Sequence, residues 1–151
     1  MSEIFGKGFQ SLFHEEYRLG PSLEAGKNLI LIGSGSGIGP LRSVLEWAPV
    51  QAYAGQHNVT LIYHVESLES AAYLDNWDEW REAGIHVRPV IGSKDASIIE
   101  SELFNKEGEI RIKTDNSHVL ISGFPGKVTA RLSRLLSQNS VLGSQVFYCD
   151  Y

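Results

Sequence analysis

The chain predicts an α/β fold, a three-layer doubly wound sheet of five parallel strands, on three observations. Short apolar runs of buried-strand type alternate with segments of helical periodicity. The first run, Leu29–Ile32, breaks directly into glycines and serines and closes on Pro40. Glycine-containing turns follow the later runs at Gly92 and Gly123. At 151 residues the chain is large enough to bury one real core, and its 42% hydrophobic and 21% charged content is that of ordinary globular material.

In chain order, residues 1–26 form a lead-in with little periodicity. Ile4, Phe5, Phe9, Leu12 and Phe13 are apolar side chains there that need a cover, so the segment is expected to pair with a neighbour. The folded domain is expected over 27–151. Leu29–Ile32 is a strand buried on both faces, and Pro40 suits the first position of a helix, where a missing N–H costs nothing. Strand, glycine turn and helix start together make a cradle for an anionic phosphate. Gly-Ser-Gly-Ser-Gly alone also matches a flexible linker, but the strand and helix that flank it favour the cradle.

Leu41, Val44, Leu45 and Ala48 recur at helical spacing, with Pro49 stopping or bending that helix. Val59–Val65 is the second strand. A helix follows with Tyr73, Leu74, Trp77 and Trp80 on one side, and Gly84 ends it. That aromatic stripe is expected to pack in the core. Ile85–Ile91 alternates, and Pro89 within it indicates an edge strand. Ser97–Phe104 is a short helix, and Gly108–Asn116 a loop or short ribbon. His118–Ser122 is the fourth strand, an amphipathic helix through Val128, Leu132, Leu135 and Leu136 follows, and Gln145–Cys149 is the fifth. In such sheets ligands sit at the carboxyl ends of the strands, near the point where strand order reverses.

Several functions are disfavoured by composition and spacing. A formal net charge of −5 with no basic run offers no electrostatic footprint for nucleic acid. The longest apolar run is far short of a membrane span and the N-terminus lacks a secretory layout, so a soluble protein is expected. Cys149 is the single cysteine, which points to a reducing compartment and leaves no internal disulfide. The five histidines show no metal-ligand spacing. The strict Gly-x-Gly-x-x-Gly fingerprint fails, because it would require glycine at Ile38 or at Pro40. The phosphate-loop pattern fails at Gly20 to Lys27, with one residue too many between the glycines and Asn28 in place of Ser or Thr. Neither Ser34 nor Ser36 sits in a nucleophile elbow.

What remains is a binding loop whose backbone N–H groups are little obstructed, with the Ser36 hydroxyl at its apex. His64 and Glu66 form the one polar pair at a strand's carboxyl end, with a solvated-loop role and a ligand role equally open. Lys127, Arg131 and Arg134 are expected on the wet face of the last helix.

Gly33-Ser34-Gly35-Ser36-Gly37-Ile38-Gly39-Pro40-Leu41-Arg42-Ser43 resembles the Gly-Thr-Gly-Ile-Ala-Pro-x-Arg-Ser signature of the ferredoxin–NADP reductase superfamily's pyridine-nucleotide domain. Ile91-Gly92-Ser93 and Ser122-Gly123-Phe124-Pro125 are similar to that family's later motifs, and the likeness covers about Lys27 to Tyr151. Gly6-Lys7-Gly8-Phe9 resembles the joint between flavin barrel and nucleotide domain in the plant and algal branch.

The resemblance implies hydride exchange between NAD or NADP and FAD, with electrons passed singly to a ferredoxin-like carrier in the cytoplasm or a plastid. It implies that Gly35, Ser36, Gly37, Ile38, Gly39 and Pro40 contact the nicotinamide and diphosphate. Ser93 and Lys94 would lie near the adenosine ribose and any 2′-phosphate, Gly123 would back the nicotinamide, and Tyr151 would stack on a flavin. Three departures accompany it. The flavin barrel is missing, so FAD requires a flavin domain or subunit outside this chain. Ser122 replaces the family's usual cysteine at the nicotinamide. Glu66 stands where many members carry arginine, and a carboxylate there would repel a 2′-phosphate and accept from a ribose hydroxyl. A stand-alone nucleotide-binding or interaction module without redox activity is the alternative reading.

Overall fold

The structure is a computed structural model that describes residues 27–92, 117–138 and 146–149. The strands are β1 (Asn28–Ser34), β2 (Val59–Val65), β3 (His86–Ile91), β4 (Ser117–Ser122) and β5 (Val146–Cys149). The helices are α1 (Ile38–Leu45), α2 (Ala48–Ala54), α3 (Leu74–Glu82) and α4 (Gly126–Gln138). The lead-in over 1–26, the helix expected at Ser97–Phe104, the ribbon or loop at Gly108–Asn116, and Ser93, Lys94 and Tyr151 lie outside the described residues.

The strands form one sheet in the order β3-β2-β1-β4-β5, with every neighbouring pair parallel. The chain leaves β1 toward β2 on one side, while β4 pairs on the other, so strand order reverses between β1 and β4. β1 is central and buried from Leu29 to Ser34, which is why its residues form an unbroken apolar run.

Alternation along β1 divides the core in two. Leu29 and Leu31 join Leu41, Val44, Leu45, Val50, Trp77 and Trp80 on the face covered by α1, α2 and α3. Ile30 and Ile32 join Val119, Ile121, Leu132 and Leu136 on the face covered by α4. Helices thus cover both faces, the doubly wound arrangement that the sequence pattern predicts. Lys127, Arg131 and Arg134 are exposed on α4, as expected of its wet face.

Several local expectations are corrected. Ala48 is exposed and opens α2 instead of continuing α1, and Pro49 lies in the first turn of α2, so it begins a second helix where it was expected to stop or bend the first. Pro40 is the third residue of α1, still within the first turn whose N–H groups lack helical partners. Leu74 is 45% exposed, whereas Trp77 and Trp80 are buried as predicted. Tyr73 stands just before α3 with φ 61, under the Arg42 guanidinium, which lies 4.5 Å from its ring centroid. Glu46 Oε2 accepts from both Arg42 Nε at 3.1 Å and Trp80 Nε1 at 3.3 Å, tying α1 to α3. Pro89 sits on β3, the strand at one end of the sheet order. Among the described residues, no helix is long and apolar enough to cross a membrane.

Candidate functional site

The carboxyl ends of β1, β2 and β4 meet at one edge. β1 leads straight into a 3-10 turn, Gly35–Gly37, which passes into α1. The Ile38 N–H already bonds the carbonyls of Gly35 and Ser36. The N–H groups that precede it open the helical segment and have no partner inside it.

Glycine is required at two places here for different reasons. A Cβ on Gly37 would lie 2.6 Å from both the Gly123 Cα and the Ser122 carbonyl, and one on Gly123, at φ 90, would lie 2.2 Å from the Ser34 carbonyl. The turns after β1 and β4 therefore touch backbone to backbone across the reversal point. Gly35 is the opposite case: its φ is 54, it is exposed, and nothing lies within 4 Å of where its Cβ would be. Gly35 leaves the outer side of the turn open while Gly37 locks it to β4.

The remaining expected residues divide by exposure. Ser36 and Glu66 are exposed, Gly39 and Gly123 are half-buried, and Gly37, Ile38 and Pro40 are buried and shape the turn from beneath. Ser122 is 1% exposed, and its hydroxyl has no hydrogen-bond partner among the described residues.

His64 is not a solvated loop residue, one of the two roles open to it. It belongs to β2, is 1% exposed, and sits in parallel register with Ser34. Its Nε2 is 2.9 Å from the Gly92 carbonyl and its Nδ1 is 2.9 Å from Ser34 Oγ. A carbonyl only accepts, so Nε2 carries the hydrogen, and in the neutral ring Nδ1 then accepts from the Ser34 hydroxyl. The chain Ser34–His64–Gly92 stitches together the ends of β1, β2 and β3. Tyr63, fully buried on the other face of β2, accepts from the Ala72 N–H at 3.0 Å and places its hydroxyl 3.5 Å from the Gly35 carbonyl. Spacing along the chain does not reveal the Ser34–His64, Tyr63–Gly35 and His64–Gly92 contacts, since parallel pairing of β2 with β1 and β3 brings them together across 28 to 30 residues.

A cavity of about 170 Å³ opens at this edge, lined by Ser34, Gly35, His64, Val65, Glu66 and Ser70. Ser67 and Ser70 bracket a 3-10 turn at its rim, where Ser70 Oγ donates to the Ser67 carbonyl at 2.8 Å. Glu66 makes no hydrogen bond or ion pair among the described residues and keeps both carboxylate oxygens available. No group of three or more His, Cys, Asp and Glu side chains among the described residues is placed to hold a metal ion.

The family model described as the oxidoreductase NAD-binding domain matches residues 31–130. Among solved structures, the chain is similar to a mutant ferredoxin-NADP+ reductase from Plasmodium falciparum, at TM-score 0.65 and 19% identity over 87% of this chain and 55% of that one. It is similar to the CS-b5R domains of human Ncb5or in the NAD+ form, at TM-score 0.58 and 17% identity over 85% and 38%. A flavohemoglobin from Malassezia yamatoensis with bound FAD and heme gives TM-score 0.57 and 19% identity over 83% and 33%. The chain spans between a third and just over half the length of these structures. A comparison with curated protein sequences gives no match.

Proposed function

The chain belongs to the oxidoreductase NAD-binding domain family, and from that premise we propose that it is the nicotinamide-dinucleotide half of a flavin-dependent oxidoreductase. The observation that carries the reading is the open glycine turn at the strand-order reversal, with Gly35 and Ser36 exposed at the carboxyl end of central β1. The turn fits a diphosphate, because a Cβ is missing where the anion would approach. A bound NAD(P)H supplies a hydride, and FAD on a separate domain is the group that exchanges it.

This chain's part is to bind and orient. The backbone N–H groups of Gly35 and Ser36 donate to the diphosphate, the Ser36 hydroxyl adds one further donor and acceptor, and Gly37 fixes the turn against β4 beneath the ligand. Gly123 lets the nicotinamide approach the backbone closely, and Ser122 takes the position beneath it. Ile38, Gly39 and Pro40 hold the turn's shape. Ser93 and Lys94 serve the adenosine end, and Tyr151 stacks on the flavin. Residues 1–26 form the end of a flavin domain and its linker, whose Phe5, Phe9 and Phe13 meet that partner. A ferredoxin-like carrier takes the electrons singly, in a reducing compartment, the cytoplasm or a plastid.

The test has two stages. NAD+ or NADP+ at millimolar concentration is expected to raise the thermal midpoint, as any ligand that binds only the folded state does. Adding a separately produced FAD-loaded flavin domain is then expected to produce NAD(P)H-dependent dye reduction that neither part shows alone. If both dinucleotides leave the midpoint unmoved, the binding reading fails. Binding without any complemented turnover would support a stand-alone module.

A further inference from the structure

We infer that the Tyr63 hydroxyl is a positioning group for the diphosphate turn: it holds the Gly35 carbonyl inward, so that the Ser36 N–H points out at the anion. The inference rests on the dinucleotide reading above and names a residue outside the turn that prepares it.

The geometry follows from one hydrogen atom and one flat peptide. The Tyr63 hydroxyl accepts from the Ala72 N–H at 3.0 Å, and its own hydrogen is left for the Gly35 carbonyl, 3.5 Å away. The same carbonyl accepts from the Ile38 N–H. No peptide bond among the described residues is cis, so the C=O of Gly35 and the N–H of Ser36 point in opposite directions. Two donors draw the carbonyl toward the protein, and the N–H faces away from them, on the exposed side of the turn.

The turn needs such a hold. Gly35 has φ 54 and nothing within 4 Å of where its Cβ would be, so packing around its Cα does not restrain this peptide. A flipped Gly35–Ser36 peptide would turn a carbonyl oxygen toward a phosphate in place of an N–H. The 3.5 Å separation is long for an O–H donor. It shortens when the Ser36 N–H binds a phosphate oxygen, because a peptide that donates at its N–H accepts more strongly at its C=O.

Tyr63 is itself anchored. It is fully buried on β2 in register with Gly33, and its ring stands edge-on to Trp77 at 5.9 Å. Ala72, which holds the hydroxyl from the other side, precedes Tyr73, and Tyr73 is pinned beneath the Arg42 guanidinium of α1. The hydroxyl is thus fixed between the β2–α3 connection and the turn. Burial pushes the phenol's pKa above its ordinary value, so it keeps the hydrogen that it donates.

The experiment is calorimetric titration of the whole 151-residue chain and its Tyr63→Phe variant with NAD+ and with NADP+, beside NMR of the Ser36 amide and the Gly35 carbonyl carbon. The substitution keeps the ring and removes only the hydroxyl, so the two proteins are expected to share one circular dichroism spectrum. The variant is expected to bind the dinucleotide that wild type prefers about three- to tenfold more weakly. In wild type that ligand is expected to shift the Ser36 amide and the Gly35 carbonyl carbon together, and in the variant the carbonyl shift is expected to be largely lost. Weaker binding with both signals shifting as in wild type overturns the inference, because Tyr63 then supports the fold alone. Equal affinity of the two proteins overturns it as well, with the dinucleotide reading intact. If the variant does not fold, the wild-type signals decide: a joint shift supports the inference, and a Gly35 carbonyl that does not move on binding overturns it. If neither dinucleotide binds wild type at millimolar concentration, the dinucleotide reading fails and this inference with it.

Discussion

Ser34 Oγ lies 2.9 Å from His64 Nδ1, a buried hydrogen bond between adjacent central strands that continues through His64 Nε2 to the Gly92 carbonyl. Both residues are nearly sealed from water, at 2% and 1% exposure. A lost bond therefore leaves a largely buried polar atom without its protein partner.

His64→Leu is accordingly expected to lower stability by about 2 kcal/mol, since it strands both the Ser34 hydroxyl and the Gly92 carbonyl. Ser34→Ala removes one bond and is expected to cost about 1 kcal/mol. The two losses should fall short of additive in urea unfolding of the single and double variants, because each removes the same contact. Strict additivity would mean that the bond contributes nothing.

The glycines around the turn separate folding from binding. Gly123→Ala places a Cβ 2.2 Å from the Ser34 carbonyl at φ 90, so it is expected to cost at least about 3 kcal/mol or prevent folding. Gly35→Ala meets no neighbouring atom and should cost only about 1 kcal/mol for its left-handed φ. That variant is expected to fold and yet bind NAD+ less well, as seen by circular dichroism melting beside ligand titration. Equal destabilisation by both would show that the turn and β4 are not locked together.

What the sequence conveys of this fold follows from where the information is local. β1, β2 and β4 are legible as strands because burial on both faces makes nearly every residue apolar, from Leu29 to Ile32, Val59 to Val65 and Val119 to Ile121. The glycine turn is legible because only glycine permits its geometry. Pro49 is not legible in the same way: proline both ends helices and begins them, and which it does depends on whether Trp47 leads into a new helix. The Ser34–His64 bond and the cavity beside Glu66 arise from parallel register, so no spacing within either segment encodes them. Leu74 fits the apolar stripe by spacing, but the helix begins at that residue and turns it outward.

Ser122 presents a buried hydroxyl without a partner among the described residues, in register with Gly33 of β1. An unsatisfied hydroxyl in a dry site is a net cost, whereas a methyl group of similar size leaves nothing unpaired. Ser122→Ala is therefore expected to leave stability unchanged or raise it by up to about 1 kcal/mol in urea unfolding. A loss of more than about 1 kcal/mol would show that the hydroxyl has a partner that matters to the fold.

His118 predicts how the protein responds to acid. It lies on β4 in register with Leu29, at 1% exposure, and burial, followed by the nearby charge of Lys27, lowers its pKa from 6.5 to about 4. In the unfolded chain the imidazole takes up its proton near pH 6.5, whereas in the folded chain it stays neutral until about pH 4. Between those values the unfolded state binds more protons, so stability is at its full level above the window and falls as pH drops through it. The loss from this one residue is about 3 kcal/mol by the bottom of the window. His118→Gln removes the titration. Its unfolding free energy should fall less than that of wild type between about pH 7.5 and 4.5, by about 2 kcal/mol. Parallel pH profiles for the two proteins would place the acid sensitivity elsewhere in the chain.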